Sequence, residues 1–239
     1  MNSLIPNTYS ILSKKVKSGL ALLGTLTLLS SFVFLQTTVN DPDASALLQK
    51  VSDKYKAYKN ISANFKLLII KPKPKPEDDD RKFTDTLDGT VLLEGAKFNI
   101  LMNGQQIYCD GKNIWTYISA DKEAQVNYFE ESDDVFSPSK IFTMYSDGYS
   151  YRVKEKKSIG NKPYTVIEMS PVNKKASYFK IDVTIDESTL QITESKIYER
   201  NGVRYLYKLT KQNFNTSTTD GNFTFDIKRF PGVKLVDLR

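Results

Sequence analysis

From Ile61 to Phe214 the chain is a succession of short β-prone runs separated by turn signals, a pattern that few folds can accommodate. "SANFKLLII" opens it with period-two alternation. "GTVLLEG", "KFNILMN", "QQIYCDG", "NIWTYI" and "QVNYFE" follow in quick succession. After one interruption come "GYSYRVKEK", "YTVIEMS", "YFKIDVTID", "QITESKIYER" and "VRYLYKLTKQNF". Asn201-Gly202 predicts a hairpin turn of the primed type, and Asp186 to Thr189 a second tight connection. The abundance of Tyr (14) and Phe (13) favours sheet as well. So many consecutive antiparallel strands in one domain predict a strongly curved sheet or barrel. Within the series, "IYCDGKNIWTYI" sets two apolar runs around the polar knuckle Asp110 to Asn113, and its apolar side chains need either a core or a ligand cavity to enter.

Two helices are expected beside the strands. Asp41-Pro42 reads as an N-cap followed by proline at the first helical position. The run to Lys59 then puts Leu47, Leu48, Val51, Tyr55 and Tyr58 on one face. "SPSKIFTMYSDG" (Ser137 to Gly148) has a capping serine, a starting proline, a closing glycine and a face of Ile141, Phe142 and Tyr145. Such a helix either plugs a barrel end or closes over a cavity, and both bury the same face. The tract "KPKPKP" cannot continue a ladder and predicts extended surface chain. The "EDDDR" after it fits a solvated loop tip better than a metal site.

Catalytic chemistry is sparse. Without histidine there is no Ser-His-Asp or Cys-His arrangement and no imidazole base or zinc ligand. A single cysteine excludes an intrachain disulfide and every CxxC site, and Cys109 reads as a buried free thiol. The acids Glu130, Glu131, Asp133 and Asp134 could do acid–base work or hold calcium. Just ahead of the short helix, their negative charge also complements its dipole, which is the structural reading. No phosphate loop or dinucleotide fingerprint occurs. No cofactor and no metal are expected.

Lys14, Lys15 and Lys17 precede an uncharged stretch from Ser18 to Asn40 with the apolar heart "GLALLGTLTLLSSFVFL". That is the order of a secretory signal, here expected over residues 1–37 with a mature domain over 38–239. The stretch is also long enough to be an uncleaved anchor. Loss of residues 1–36 would leave 31 basic against 28 acidic residues, net +3. That balance gives no push toward nucleic acid.

The order of elements resembles the periplasmic lipoprotein carrier family, LolA, in its Bacteroidetes-type form. The likeness runs from Ala44 to Arg239. It is carried by "GTVLLEGAKFNI", by the Asp110-Gly111 turn ahead of Trp115 and Tyr117, by the "SPSKIF" helix, and by Phe223, Phe225, Pro231, Gly232 and Val233 in the closing "NFTFDIKRFPGVKLVDLR". The resemblance implies an α+β, mostly β fold: an incomplete, strongly curved antiparallel barrel of about eleven strands covered by amphipathic helices. It implies an apolar interior that receives lipoprotein acyl chains. On this chain that interior would be lined by Phe65, Leu67, Leu93, Phe98, Ile100, Trp115 and Tyr117 and covered by Ile141, Phe142 and Tyr145. The implied partners are an inner-membrane lipoprotein-releasing transporter and an outer-membrane acceptor, and the implied state is a periplasmic monomer. One feature departs. Well-known members carry an arginine in the strand after the G-x-F hairpin that bonds the lid helices, and here "KFNIL" has Asn99 in its place.

Burying one acyl chain of about 14 carbons offers on the order of 10 kcal/mol gross, enough for grip without any charge. Two other functions fit parts of the pattern. An acceptor or envelope-stress sensor on the same fold, like the relatives LolB and RseB, would also bind lipid. A hydrolase would rest on the acids from Glu130 to Asp134.

Overall fold

The computed structural model describes residues 40–75, 77, 79, 83–130, 142 and 148–239, all within a compact unit of residues 38–239. The leader expected over 1–37 lies outside the described residues. So do Ile141, Tyr145 and most of the expected short helix, together with Glu131, Asp133 and Asp134.

Helix α1 (Pro42–Lys56) starts where its sequence says it should. Asp41 is extended and its carboxylate accepts from the amides of Asp43 and Ala44, at 2.9 and 3.3 Å. The helix stops at Ala57, short of the run's end at Lys59. Ala44, Leu48, Val51, Ser52 and Tyr55 are buried, one stripe at helical spacing.

The eleven expected strands all form: β1 (Ile61–Ile70), β2 (Thr84–Glu94), β3 (Lys97–Met102), β4 (Gln105–Cys109), β5 (Asn113–Ile118), β6 (Glu123–Tyr128), β7 (Tyr149–Ile159), β8 (Lys162–Pro171), β9 (Tyr178–Asp186), β10 (Gln191–Glu199) and β11 (Arg204–Phe214). A twelfth, β12 (Lys234–Asp237), adds to β6 in parallel. All belong to one sheet in the order β12-β6-β5-β4-β3-β2-β1-β11-β10-β9-β8-β7. Strand β1 therefore sits in the middle, with one meander on each side. The sheet is open, with β12 and β7 at its edges.

Helix α1 reports how strongly the sheet curves. Its N-terminus is bonded to β7, through Asp41 N to Tyr151 O at 3.2 Å and Val153 N to Asp41 Oδ2 at 2.9 Å. Its last turn shares a pocket with Leu93 of β2 and with Gly95. Six strand spacings separate β7 from β2, about 29 Å if the sheet were flat. A helix of 15 residues is only about 22 Å long. The sheet curls to bring these strands within its reach.

Each strand has two faces, and the register assigns them. On the face that meets α1, Leu93 pairs with Phe98, Phe98 with Cys109, and Ile100 with both Val91 and Ile107. Across β1 the same face carries Ile61, Ala63, Phe65 and Leu67, and beyond it Ile197, Ile181, Val183, Ile185, Ile167 and Met169. These form one continuous apolar cluster with α1. We call this the inner face. The opposite face over β4–β6 holds a second, smaller cluster of Tyr108 and Ala124 with Phe225, packed by Trp115, Tyr117, Phe230 and Val233.

Candidate lipid-binding site

Six of the expected lining and lid residues come together on the inner face. Phe65, Leu67, Leu93, Phe98, Ile100 and Phe142 all belong to the main cluster and all are buried. Phe65 lies so close over β2 that a Cβ on Gly89 would sit 2.4 Å from its ring, so only glycine fits opposite it. Phe142 is delivered by the connection between β6 and β7. Its ring lies 5.5 Å from that of Tyr55 on α1.

Trp115 and Tyr117 do not join them. They pair across the sheet with Tyr108, Val126 and Ala124, on the outer face. There the tail folds back as a strap. Tyr117 lies 4.6 Å from Phe230 and 5.6 Å from Phe225, and these two phenylalanines stack on each other at 4.9 Å. Lys97 pairs with Asp220 at 2.7 Å and helps fasten the strap. The expectation that Trp115 and Tyr117 line the interior is thereby corrected. It is Ile114 and Thr116 of β5 that share the inner face, in register with Cys109 and Ile107. The closing phenylalanines are structural, covering apolar surface that would otherwise face water.

Asn99 also points outward. Its side-chain amide donates to Asn222 O at 2.7 Å, so it fastens the strap and does not touch α1. The last turn of the helix is held by a different polar contact. The Tyr55 hydroxyl donates to Gln212 Oε1 at 2.8 Å and accepts from the Ile192 amide at 3.1 Å. Gln212 Nε2 completes the group by donating to Ile192 O at 2.8 Å. Burial raises the Tyr55 hydroxyl well above the ordinary tyrosine range, which keeps it a donor at every physiological pH. The residue sequence contained a hint of this. Along the inner face of β11, Tyr205, Tyr207 and Leu209 are followed by Gln212 and Phe214, so one amide interrupts an apolar register.

Between the last turn of α1 and β1–β2 lies a cavity of about 210 Å³. Tyr55, Tyr58, Ile61, Leu93 and Phe142 form its walls, and the exposed Lys56 and Lys59 stand at its rim. Ligand pockets typically hold about 300–1,000 Å³, so this cavity is smaller than a typical ligand pocket. A larger groove of about 490 Å³ runs past Asn64, Lys66, Asp88, Thr90 and Leu101. Its Lys66–Asp88 ion pair and exposed walls make it a wet surface feature, unsuited to hydrocarbon.

Among the described residues the other candidates show no reactive geometry. Cys109 is buried and its thiol is pushed up to about 11 by burial, which keeps it protonated and a poor nucleophile at neutral pH. Asp110 is a turn former, accepting from the amides of Lys112 and Asn113 at 2.8 and 2.7 Å. Glu130 is exposed. Among the described residues no group of three or more His, Cys, Asp or Glu side chains is placed to hold a metal.

Residues 75–226 match the family described as outer membrane lipoprotein carrier protein LolA. The chain belongs to the LolA family. Among curated proteins none matches it. Its fold is similar to that of an uncharacterized conserved protein from Thermus thermophilus, at 10% identity and a TM-score of 0.51, over 81% of this chain and 99% of that one. A LolA superfamily protein from Nitrosomonas europaea is similar over 76% of this chain and 97% of its own, at 13% identity and a TM-score of 0.41. The lipoprotein LppX of Mycobacterium tuberculosis matches over 75% and 99%, at 13% identity and a TM-score of 0.39. The open, curled sheet of this LolA-family protein and its helix-covered inner face follow the architecture that its sequence leads one to expect.

Proposed function

We propose that this protein is a periplasmic carrier that takes lipoprotein acyl chains onto its inner face, beneath α1 and Phe142, and moves them from the inner to the outer membrane. The observation that carries the reading is the contrast between the two apolar faces. The outer one is sealed by a strap of aromatic stacks and an ion pair. The inner one is covered by a helix whose buried stripe is apolar apart from Ser52 and whose grip on β10–β11 centres on the Tyr55 hydroxyl. Such a helix can swing outward about its Asp41 bonds to β7 and expose Phe65, Leu67, Leu93, Phe98 and Ile100 together. Ile141 and Tyr145 extend the cover in this proposal. The donor would be an inner-membrane lipoprotein-releasing transporter and the recipient an outer-membrane acceptor, with the protein acting as a monomer behind its secretory leader. Binding and release involve no covalent step and no cofactor.

The test compares two variants in cells depleted of the native protein. Ile100→Asp places a charge on the inner face and should abolish lipoprotein delivery while the secreted protein still folds. Converting Glu130, Glu131, Asp133 and Asp134 to amides should leave delivery intact. The opposite pattern, failure of the amide variant with normal delivery by Ile100→Asp, would overturn the carrier reading in favour of acid chemistry in that loop.

A further inference from the structure

On the outer face, away from the strap, β9, β10 and β11 place an excess of cations around one aromatic ring. Lys180, Tyr198 and Arg204 lie in register across the three strands, and Lys196 is two residues along β10. The Lys180 ammonium is 4.1 Å from the Tyr198 ring centre, that of Lys196 5.3 Å, and the Arg204 guanidinium carbon 5.8 Å. Among the described residues the carboxylates within reach are already engaged. Asp182 takes Lys154 at 2.7 Å and the Tyr198 hydroxyl at 2.7 Å. Glu168 is shared between Arg152 at 2.8 Å and Lys180 at 3.7 Å. Glu194, further along β10, pairs with Lys208. Among the described residues Lys196 and Arg204 form no ion pair. The Lys196 ammonium is held below the ordinary lysine range, first by desolvation and then by repulsion from Arg204, consistent with local positive charge left uncompensated. Beside this group Phe179 is 44% exposed, with its ring 6.2 Å from Tyr198.

We infer that this face is a docking surface for an anionic phospholipid bilayer. Uncompensated cations spread over a sheet face present their charge in a plane, and an anionic membrane attracts basic residues near its surface. An exposed aromatic among them adds apolar insertion at the headgroup boundary, the combination by which peripheral proteins lie on membranes. The placement is distinct from the inner face, so docking leaves α1 and the cavity rim free and does not depend on the acyl-chain reading.

The experiment is cosedimentation of residues 38–239, a compact unit of their own, with vesicles of phosphatidylcholine alone and with vesicles that also contain phosphatidylglycerol. The protein should bind the anionic vesicles selectively and be released by high salt, because exposed charge interactions are screened. Each basic residue near the surface is worth a factor of about five in partitioning. Lys196→Gln with Arg204→Gln should therefore lower binding about 25-fold while leaving thermal stability and bis-ANS binding unchanged. Phe179→Ser should lower it further. Absence of vesicle binding, equal binding to both compositions, retention of parent affinity by the double variant, or capture of an acidic protein in place of vesicles would each refute docking. Loss of vesicle binding in Ile100→Asp but not in the double variant would refute it too, by assigning the contact to the inner face.

Discussion

Tyr55→Phe removes one hydroxyl from the contact that fastens α1 and leaves its ring against Phe142, 5.5 Å away. The loss orphans the Ile192 amide, which bonded that oxygen at 3.1 Å in a residue with no exposed surface. A buried donor left without a partner costs about 1–3 kcal/mol, whereas Gln212, only partly buried, can turn to water. The expected loss is therefore about 2 kcal/mol. In a unit of this size that lowers the thermal midpoint by about 4–8 °C. If α1 is a lid, the same loss of about 2 kcal/mol raises the fraction with the helix lifted by about 30-fold. Stopped-flow association with bis-ANS, well below the midpoint, reads that fraction directly. Gln212→Ala should couple to Tyr55→Phe by about 1 kcal/mol in a double-mutant cycle, because the two share one network. A midpoint drop with unchanged probe kinetics would show that Tyr55 anchors a permanent core and that α1 does not open. No change in either measurement would show that the contact contributes nothing.

Asp41→Ala should destabilise the start of α1 by removing its N-cap and free it from β7, read as faster amide exchange at Val153, whose N–H bonds Asp41 at 2.9 Å. That bond, with those from Ala44 and Asp43, holds the Asp41 carboxyl below the usual carboxylate range. Its contribution is thus complete above the unfolded value of about 4 and is lost as pH falls through the lower folded value, so acid should detach the helix in the parent and change little in Asp41→Ala. Trp115, on the outer face under the strap, should keep its emission spectrum when an acyl-chain probe binds; a blue shift or quenching on binding would return it to the cavity.

Local pattern sufficed for the eleven antiparallel strands because each is a β-prone apolar run set off from the next by turn or break signals. Even there the turn type differed. Of Asn201 and Gly202 only Gly202 has a positive φ, 87°, with Glu199 N bonded to Val203 O, so the loop is a three-residue turn ending in glycine and not a primed one. The strand β12 escaped notice for a physical reason. "KLVD" spans 4 residues, buries none of them, and exists because distant β6 offers an edge, bonded through Lys234 N to Lys122 O and Leu238 N to Val126 O. The face of β5 was illegible for a related reason. Parity separates Trp115 and Tyr117 from Ile114 and Thr116, but both sets are apolar enough to be buried. What decides between the faces is Phe225 and Phe230, far along the chain. The Tyr55–Gln212 contact likewise joins residues 157 apart.

The magnitudes explain why only one of the two covers suits a carrier. Swinging α1 off β10–β11, with Asp41 still bonded to β7, exposes Leu48, Val51 and Tyr55, each fully or almost fully buried, at about 2–3 kcal/mol apiece. Together with the hydroxyl contact, opening costs on the order of 8–11 kcal/mol. An acyl chain of about 14 carbons returns on the order of 10 kcal/mol when it takes the vacated surface. The two terms nearly cancel, so cargo can enter without being trapped and leave when a partner competes for it. The strap could not serve. Lifting it would expose Phe223 and Phe225 along with Tyr108 and Ala124, all at 9% exposure or less, and would break the Lys97–Asp220 pair and the Asn99–Asn222 bond besides. It would also have to pull β12 from the edge of β6. That exchange would run uphill, which would keep the outer face shut while, in the proposed carrier, the inner face trades its helix for lipid.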